Sequence, residues 1–524
     1  MIYVLEVTAG IDSGGTTQKF LFGTVGFTTT GADTPADTVV YDKLHQPANI
    51  ARRLASNRAL FGVLDTSEGV CVVTNTGAFD AFSRYGFGWR PCVLRMCDPA
   101  YGAFPAYPSG WTTVFVGSIK EVVRERGRIV FTMQDNLAKL DKFMNSRYLG
   151  TGNAEGTAQM VGMAKPRQYG QTCNVTPVLV DPTNRIYQVS DKPYTVARNV
   201  YDKRVNYAHM STNYNDVASF AALQGLAVPA NQVGWWSDGS MFKLGNAPNG
   251  KITVDVVRQE VTYAAASGRS RLGELISDIG TDAGLSVGTD IDSTTAAIES
   301  GGGANHGFYS TSLETTYRMA LAAVCASRGA WIGCDRNGVL KGAILVAPTG
   351  TPAWTFTRSN TTAMDMVQSW LKVPASSVQV QGGRNWTPML EAEIDATVSA
   401  DNKRLLGLQF LYTENSAGSL AAKYLNAQTY THETYSGQVN VVTPALPGNS
   451  VGVTASSLRD LFAVERDTVE VTCGLSIPLI TAVDFGSVVT LLYPRFGYDA
   501  GKLFLVIGVR YNLASNTVTF TLWG

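Results

Sequence analysis

The strongest constraint in this chain is apolar and polar residues alternating with a period of two. Val518, Phe520 and Leu522 alternate with Thr517, Thr519 and Thr521. Successive side chains of an extended strand point to opposite faces, so this run presents one apolar and one polar face. Leu503 to Tyr511 reads as the preceding strand, Ala514-Ser515-Asn516 as the turn, and Phe485 to Tyr493 as an earlier partner. The pattern predicts a meander that ties Thr517 to Gly524 into a sheet. Comparable strands are predicted at Tyr3 to Thr8, Val70 to Thr74, Thr113 to Ile119, Ile129 to Gln134, Ile252 to Arg258, Ser377 to Gln381 and Thr468 to Leu475. Asp335-Arg336-Asn337-Gly338 and Ser237-Asp238-Gly239 each separate two short apolar runs, and Asn-Gly and Asp-Gly suit tight hairpins.

Helical patterns are fewer. Asp135 to Met144 places Leu137, Leu140 and Met144 on one face, and Arg269 to Ile279 does so with Leu272, Leu275, Ile276 and Ile279. Thr311-Ser312-Leu313-Glu314 fits a capping box for a helix that buries Leu313, Tyr317, Leu321 and Val324 and stops near Gly329. Short helices are expected at Ser419 to Leu425 and Ser457 to Val464. With 524 residues the chain is too long for one core. The expected fold is mainly β with α+β insertions, in several domains. Residues 1–150 form a β-barrel-like unit ending in a helix, 151–260 a β-rich insertion, 261–345 a small α/β domain and 346–524 a second β-rich unit. Gly301-Gly302-Gly303 reads as a loop inside the third.

Charged residues make up 16% of the chain, below the roughly 25% usual for soluble proteins, while 45% are hydrophobic. This suits β-rich cores with partner-covered surfaces and argues against disorder. Lys plus Arg balance Asp plus Glu at 42 each, so the basic excess of a nucleic-acid binder is missing. The most basic stretch, Lys120 to Arg128, is interrupted by Glu121 and Glu125 and reads as a solvated face. The start, Met1 to Glu6, lacks the features of a signal peptide, and no apolar run approaches the length of a membrane span. Seven widely spaced cysteines without a C-x-x-C pair read as reduced, mostly buried thiols, as in a protein made in a reducing cytoplasm.

No catalytic, cofactor-binding or metal-binding residue is predicted. His45, His209, His306 and His432 lack partners at ligand or nucleophile–base spacing, and His432-Glu433 is not followed by the second histidine of a zinc protease. Gly284-Leu285-Ser286-Val287-Gly288 spells a hydrolase elbow but follows a predicted helix where a strand is required. Gly245 to Lys251 spells most of a phosphate loop, but Ile252 stands where Ser or Thr is needed, so a hairpin turn is expected. Gly150 to Gly156 has one residue too many for a dinucleotide fingerprint and reads as an interdomain loop. Asp290 and Asp292 could begin a calcium loop, but the later ligands are missing and an N-cap at Asp292 or Ser293 explains them. Glu391, Glu393 and Asp395 would line one face of a strand, and Trp235-Trp236 would point to opposite faces of another.

Four stretches carry a resemblance to known proteins. The first is Pro35-Ala36-Asp37-Thr38-Val39-Val40-Tyr41, then Pro47, Asn75-Thr76-Gly77-Ala78-Phe79-Asp80 and Tyr85-Gly86-Phe87-Gly88-Trp89-Arg90. The second is Lys165-Pro166-Arg167-Gln168-Tyr169-Gly170 with Asn174 to Asp181 and Ile186-Tyr187-Gln188-Val189. The third is Met241-Phe242-Lys243-Leu244 with Pro248 to Asp255, and the fourth is Gly486 to Gly524, containing Tyr493-Pro494-Arg495-Phe496-Gly497. Together they resemble the tail-tip or baseplate hub proteins of siphophages, including transposable and lambda-like phages. The resemblance implies a structural virion protein without enzymatic activity or cofactor, made in the host cytoplasm. By analogy with hubs of contractile phages, it implies a homotrimer in which 1–150 and 346–524 are tube-like β-barrels. Six barrels would ring the DNA exit channel and adapt a six-fold tail tube to a three-fold tip. Its partners would be the distal tail protein, tail tube, other tip proteins and tail fibres, with DNA passing unread through the lumen. The alternatives are a receptor- or carbohydrate-binding tail protein and a tail-associated cell-wall hydrolase.

Overall fold

The computed structural model describes residues 1–54, 61–98, 104–193, 195–210, 216–258, 269–300, 305–366, 374–416, 422–433 and 458–524. The protein is mainly β, with several curled half-barrel sheets and a few helices. It divides into two compact units. One comprises Met1–Lys139, Trp331–Val373 and Glu465–Gly524, and the other Leu140–Ala330 and Pro374–Val464. Most of 1–150 and both ends of 346–524 therefore contribute to one unit, and 151–260 with most of 261–345 to the other.

The first unit holds a nine-stranded and a seven-stranded sheet. In the nine-stranded sheet, Ile2–Gly10 lies between Thr17–Gly23 and Pro91–Cys97, followed by Thr112–Glu125, Arg128–Gln134 and Glu68–Thr74. Alternation dictates the faces. Gly69, Cys71 and Val73 point inward, while Glu68 and Val70 are exposed. Register shifts after Thr113 and after Ile119 interrupt the long Thr112–Glu125 strand, and such bulges bend and twist a strand. Gly117 lies between them, where a Cβ would stand 2.1 Å from the Gln134 carbonyl oxygen. Only glycine permits that approach.

The seven-stranded sheet contains the predicted meander. Thr517–Trp523 is an interior strand, pairing antiparallel with both Lys502–Asn512 and Thr468–Gly474. The sequence did not announce Asn49–Arg53, which joins this sheet against Lys502–Asn512 with Ile50 opposite Tyr511. The two sheets share one core cluster, in which Phe22, Phe115 and Phe131 belong to the same group as Phe504 and Phe520. The predicted Asp335 turn joins Ala330–Cys334 to Leu340–Ile344. Asp335 Oδ1 accepts from the Asn337 and Val339 amides, and Gly338 supplies φ +78°.

In the second unit a nine-stranded sheet packs Val175, Val200, Trp235, Phe242 and Val254 into one cluster. The Ser237 turn is a hairpin as expected, with Trp236 opposite Met241. Gly245 to Lys251 is not. Met241–Leu244 and Ile252–Arg258 are separated in the sheet by three other strands, so this segment is a crossover. Leu272–Asp282 is helical and buries Leu272, Leu275, Ile276 and Ile279. It packs on the Tyr317–Ser327 helix and on Arg167–Val175.

Other helical expectations are corrected. Asp135 to Met144 contains only the 3-10 stretch Asn136–Asp141, although Leu137, Leu140 and Met144 are buried. The Asp135 carboxylate draws the Leu137 and Ser67 amides to itself, which favours a tight turn at this point. The Tyr317–Ser327 helix is capped by Thr316, whose hydroxyl accepts from the Met319 amide at 3.2 Å. Thr311 does not cap it, because Ser312 accepts locally from Glu314. Thr316→Ala should cost about 1 kcal/mol in urea denaturation, and Thr311→Ala less than about 0.5 kcal/mol. Residues 458–462 are helical, whereas the segment expected at Ser419 to Leu425 lies partly, and Gly301-Gly302-Gly303 wholly, outside the described residues.

Candidate functional site

The sequence motifs that mimic chemistry all resolve into local structure. Ser286 follows the Leu272–Asp282 helix, and its carbonyl accepts from the Asp290 and Ile291 amides at 2.8 and 3.0 Å, forming a turn without the strand an elbow needs. In the Gly150 to Gly156 loop, the Glu155 carboxylate accepts from the Leu149 amide and pairs with Lys165 at 2.6 Å. A protein side chain thus occupies the anion's role there. At Gly245 a Cβ would lie 1.8 Å from the Pro229 carbonyl oxygen, so this glycine serves chain packing. Asp292 caps a short helix by accepting from the Thr294 and Thr295 amides.

Glu391, Glu393 and Asp395 do not line a strand. Glu391–Glu393 is a 3-10 turn in which Glu393 accepts from the Leu390 amide at 2.8 Å, and Asp395 accepts from Thr397. Carboxylates bonded to nearby backbone favour turns over extended chain, and that local preference overrides the period-two spacing. Trp235 and Trp236 do point to opposite faces, each against a different core cluster.

One constellation escaped sequence reading. His306 Nε2 lies 3.2 Å from Glu299 Oε2, and His306 Nδ1 lies 3.2 Å from the Ser327 hydroxyl. Arg328 Nε donates to Glu299 Oε1 at 2.6 Å. Burial raises the Glu299 carboxyl's affinity for protons, but His306 and Arg328 outweigh it and hold the group below its ordinary pKa. The Ser-His-Glu order imitates a hydrolytic triad. However, His306 and Ser327 are both 0% exposed, and the Ser327 hydroxyl donates to the Val324 carbonyl at 2.7 Å. A substrate has no approach to this hydroxyl, and the group acts as a satisfied internal network. His45 is exposed, and His432 is buried, its ring pushed down to about 4 by burial.

A second network centres on Arg167. Its guanidinium forks onto Asp191 and reaches Asp282 at 3.3 Å, and Asp282 also accepts from Tyr169 at 2.7 Å and Lys192 at 2.5 Å. All seven cysteines are buried and free of disulfides. Burial pushes the Cys71 and Cys325 thiols up to about 12, so neither is a thiolate nucleophile at neutral pH. Among the described residues no group of three or more His, Cys, Asp or Glu could hold a metal ion, and no helix is long and apolar enough to cross a membrane.

The hairpin of Thr112–Glu125 with Arg128–Gln134 ends in exposed Lys120, Glu121, Arg124, Glu125, Arg126 and Arg128, with Lys120 paired to Glu68 at 2.5 Å. Behind this tip Val72, Val130 and Val123 stand in register across three strands on the outer face. β-Branched neighbours of this kind form an apolar ridge. Trp89 is 57% exposed on a nearby turn, its amide donating to the Ile119 carbonyl.

No family model and no curated protein matches the chain. Solved structures do. The 43 kDa tail protein of prophage MuSo2 from Shewanella oneidensis is 10% identical, with 100% of this chain and 98% of that chain covered at a TM-score of 0.39. A tail protein from Neisseria meningitidis is 9% identical, with 100% and 96% covered at 0.38. The prophage tail protein gp18 from Listeria monocytogenes is 7% identical, with 100% and 94% covered at 0.40. The structural neighbours of this chain are prophage tail proteins and phage baseplate proteins.

Proposed function

We propose that this chain is a structural virion protein of a siphophage, the central hub of the tail tip or baseplate. It assembles as a homotrimer around the DNA exit channel and uses no catalytic residue, cofactor or metal. One observation carries the reading most of the way: sheets built from the two ends of the chain share a core within one compact unit. In this proposal the nine-stranded sheet from 1–150 and the seven-stranded sheet, built from 346–524 with Asn49–Arg53 added, are the two tube-like barrels. Three chains then supply six such elements, the number needed to face a six-fold tube from a three-fold tip.

The four sequence stretches that resemble siphophage hubs support the same reading, since they fall on both ends and the middle. The equal numbers of acidic and basic residues suit copies packed side by side around DNA that is not bound. The distal tail protein, the tail tube, other tip proteins and fibres are the expected neighbours. A carbohydrate-binding role would call for a shared aromatic platform, which Trp235 and Trp236 do not make.

The test is a reconstruction of the tail tip together with mass measurement of the assembled chain. Three copies on the tail axis, with both sheets facing the lumen, are expected. Six equivalent copies, or a position away from the axis, would contradict the proposal.

A further inference from the structure

The nine-stranded and seven-stranded sheets repeat one motif. Glu68–Thr74, a short helix at Asp80–Arg84, then Pro91–Cys97, Thr112–Glu125 and Arg128–Gln134 make its first instance. Thr468–Gly474, a short helix at Ile477–Ala482, then Val488–Leu492, Lys502–Asn512 and Thr517–Trp523 make the second, and the four strands stand in the same order in both sheets. The match reaches single residues. The third strand parts from the second where Ser118 faces Pro91, and again where Leu505 faces Val488. It then breaks register with the fourth, between Ile119 and Glu121 and between Val506 and Gly508. Ile119 accepts from the Trp89 amide and donates to the Arg90 carbonyl, as Val506 does with Gly486 and Ser487. Trp89 and Gly486 both hold positive φ, +61° and +82°.

What covers the equivalent surfaces differs. Gly508–Asn512 is paired with Asn49–Arg53, a strand that arrives from the first motif just after Leu44–Gln46 has joined Glu68–Thr74. Trp331 packs over Gly486, where a Cβ would stand 2.7 Å from its indole. In the first motif Glu121–Glu125 corresponds to Gly508–Asn512, and among the described residues no strand pairs with it on that side. Val123 on this edge is 42% exposed, and Trp89, bonded to Ile119 just before it, 57%. An open strand edge is a template for pairing with another chain. A tryptophan in left-handed backbone is strained where glycine is not, and such strain gathers at functional surfaces.

We infer that the Glu121–Glu125 edge, with Trp89, receives a strand from a second copy of this chain, in the way that Gly508–Asn512 receives Asn49–Arg53. The occupant follows from the repeat. Within one chain the first motif feeds a strand to the second. The same contact repeated requires the second motif of another copy to feed the first. Backbone hydrogen bonds supply affinity there, and Trp89 with Val123 the apolar anchor. Such contacts run head to tail and make a ring when their rotation closes. The choice of occupant therefore rests on the proposed ring-forming hub, whereas the open edge does not.

Hydrogen exchange of the purified full chain, compared below and above the concentration at which it assembles, tests the contact. Alternate amides of Glu121–Glu125 should slow by at least about tenfold on assembly, while those of Gly508–Asn512 are slow throughout. Trp89→Gly should leave the urea midpoint of the monomer unchanged or raised, and should weaken assembly by about thirtyfold or more. Edge amides equally fast in monomer and assembly, a dissociation constant unmoved in the variant, or a chain monomeric at every concentration would overturn the contact. So would edge protection found in whole tail tips but missing in the assembled pure chain, which gives the edge to a different protein. A dimer with a protected edge would support the contact and contradict the trimer, and a trimer with an open edge would do the reverse.

Discussion

Replacing Arg167 by Leu should cost the second unit about 3–5 kcal/mol, the usual penalty for removing one partner of a buried ion pair. Arg167 is 6% exposed and serves two carboxylates, forking onto Asp191 and reaching Asp282. Leucine fills much of the volume but leaves Asp191, among the described residues, with the Ser146 hydroxyl at 2.6 Å as its side-chain donor. Asp282 retains Lys192 and Tyr169, so the damage falls on Asp191 and on the Arg167–Val175 strand that Arg167 opens. Arg167→Lys keeps the charge and loses the fork, and should cost less than the leucine variant. Urea denaturation followed by fluorescence checks both, and a leucine variant within 1 kcal/mol of the parent would show that the network contributes little net stability.

Deleting Val518 to Gly524 should leave the first unit unable to fold. Val518, Phe520, Leu522 and Trp523 are each 0–1% exposed. Burial of side chains of this size contributes about 1.5–3 kcal/mol apiece. Together they match the net 5–15 kcal/mol of an ordinary domain. The strand is also interior, so its loss strands the backbone groups of Lys502–Asn512 and Thr468–Gly474 on one side. Raw edges of this kind invite aggregation. The truncated chain is expected in the insoluble fraction, without protected amides in Lys502–Asn512, and phage carrying the deletion should not assemble tails. Infectious particles with the deletion would contradict this.

Strands were legible wherever alternation ran unbroken over several residues, as in Thr517–Trp523 and Glu68–Thr74, because burial of one face leaves a direct imprint on composition. The Leu272–Asp282 helix was legible for the same reason. Three kinds of feature were not. Glu391 to Asp395 imitates a strand face, but short-range bonds from Glu393 and Asp395 decide the conformation. Asn49–Arg53 has an alternating pattern too short to stand out, and its partner lies at the far end of the chain. Glu299 lies in a turn, His306 just before the Gly307–Ser310 strand and Ser327 at a helix end. They become a network only once two elements pack, and nothing in their spacing announces it.

The closeness of the chain's two ends has a consequence for synthesis. The Tyr3 hydroxyl donates to Asn516 at 2.6 Å, across 513 positions of sequence. At ribosomal speed the second residue emerges roughly half a minute to two minutes after the first. For that interval the opening strands exist without the apolar surface that finally covers them. The nascent polypeptide must wait, open-sided, for material not yet translated, and a shielding chaperone or a second nascent copy nearby would decide which contact forms first.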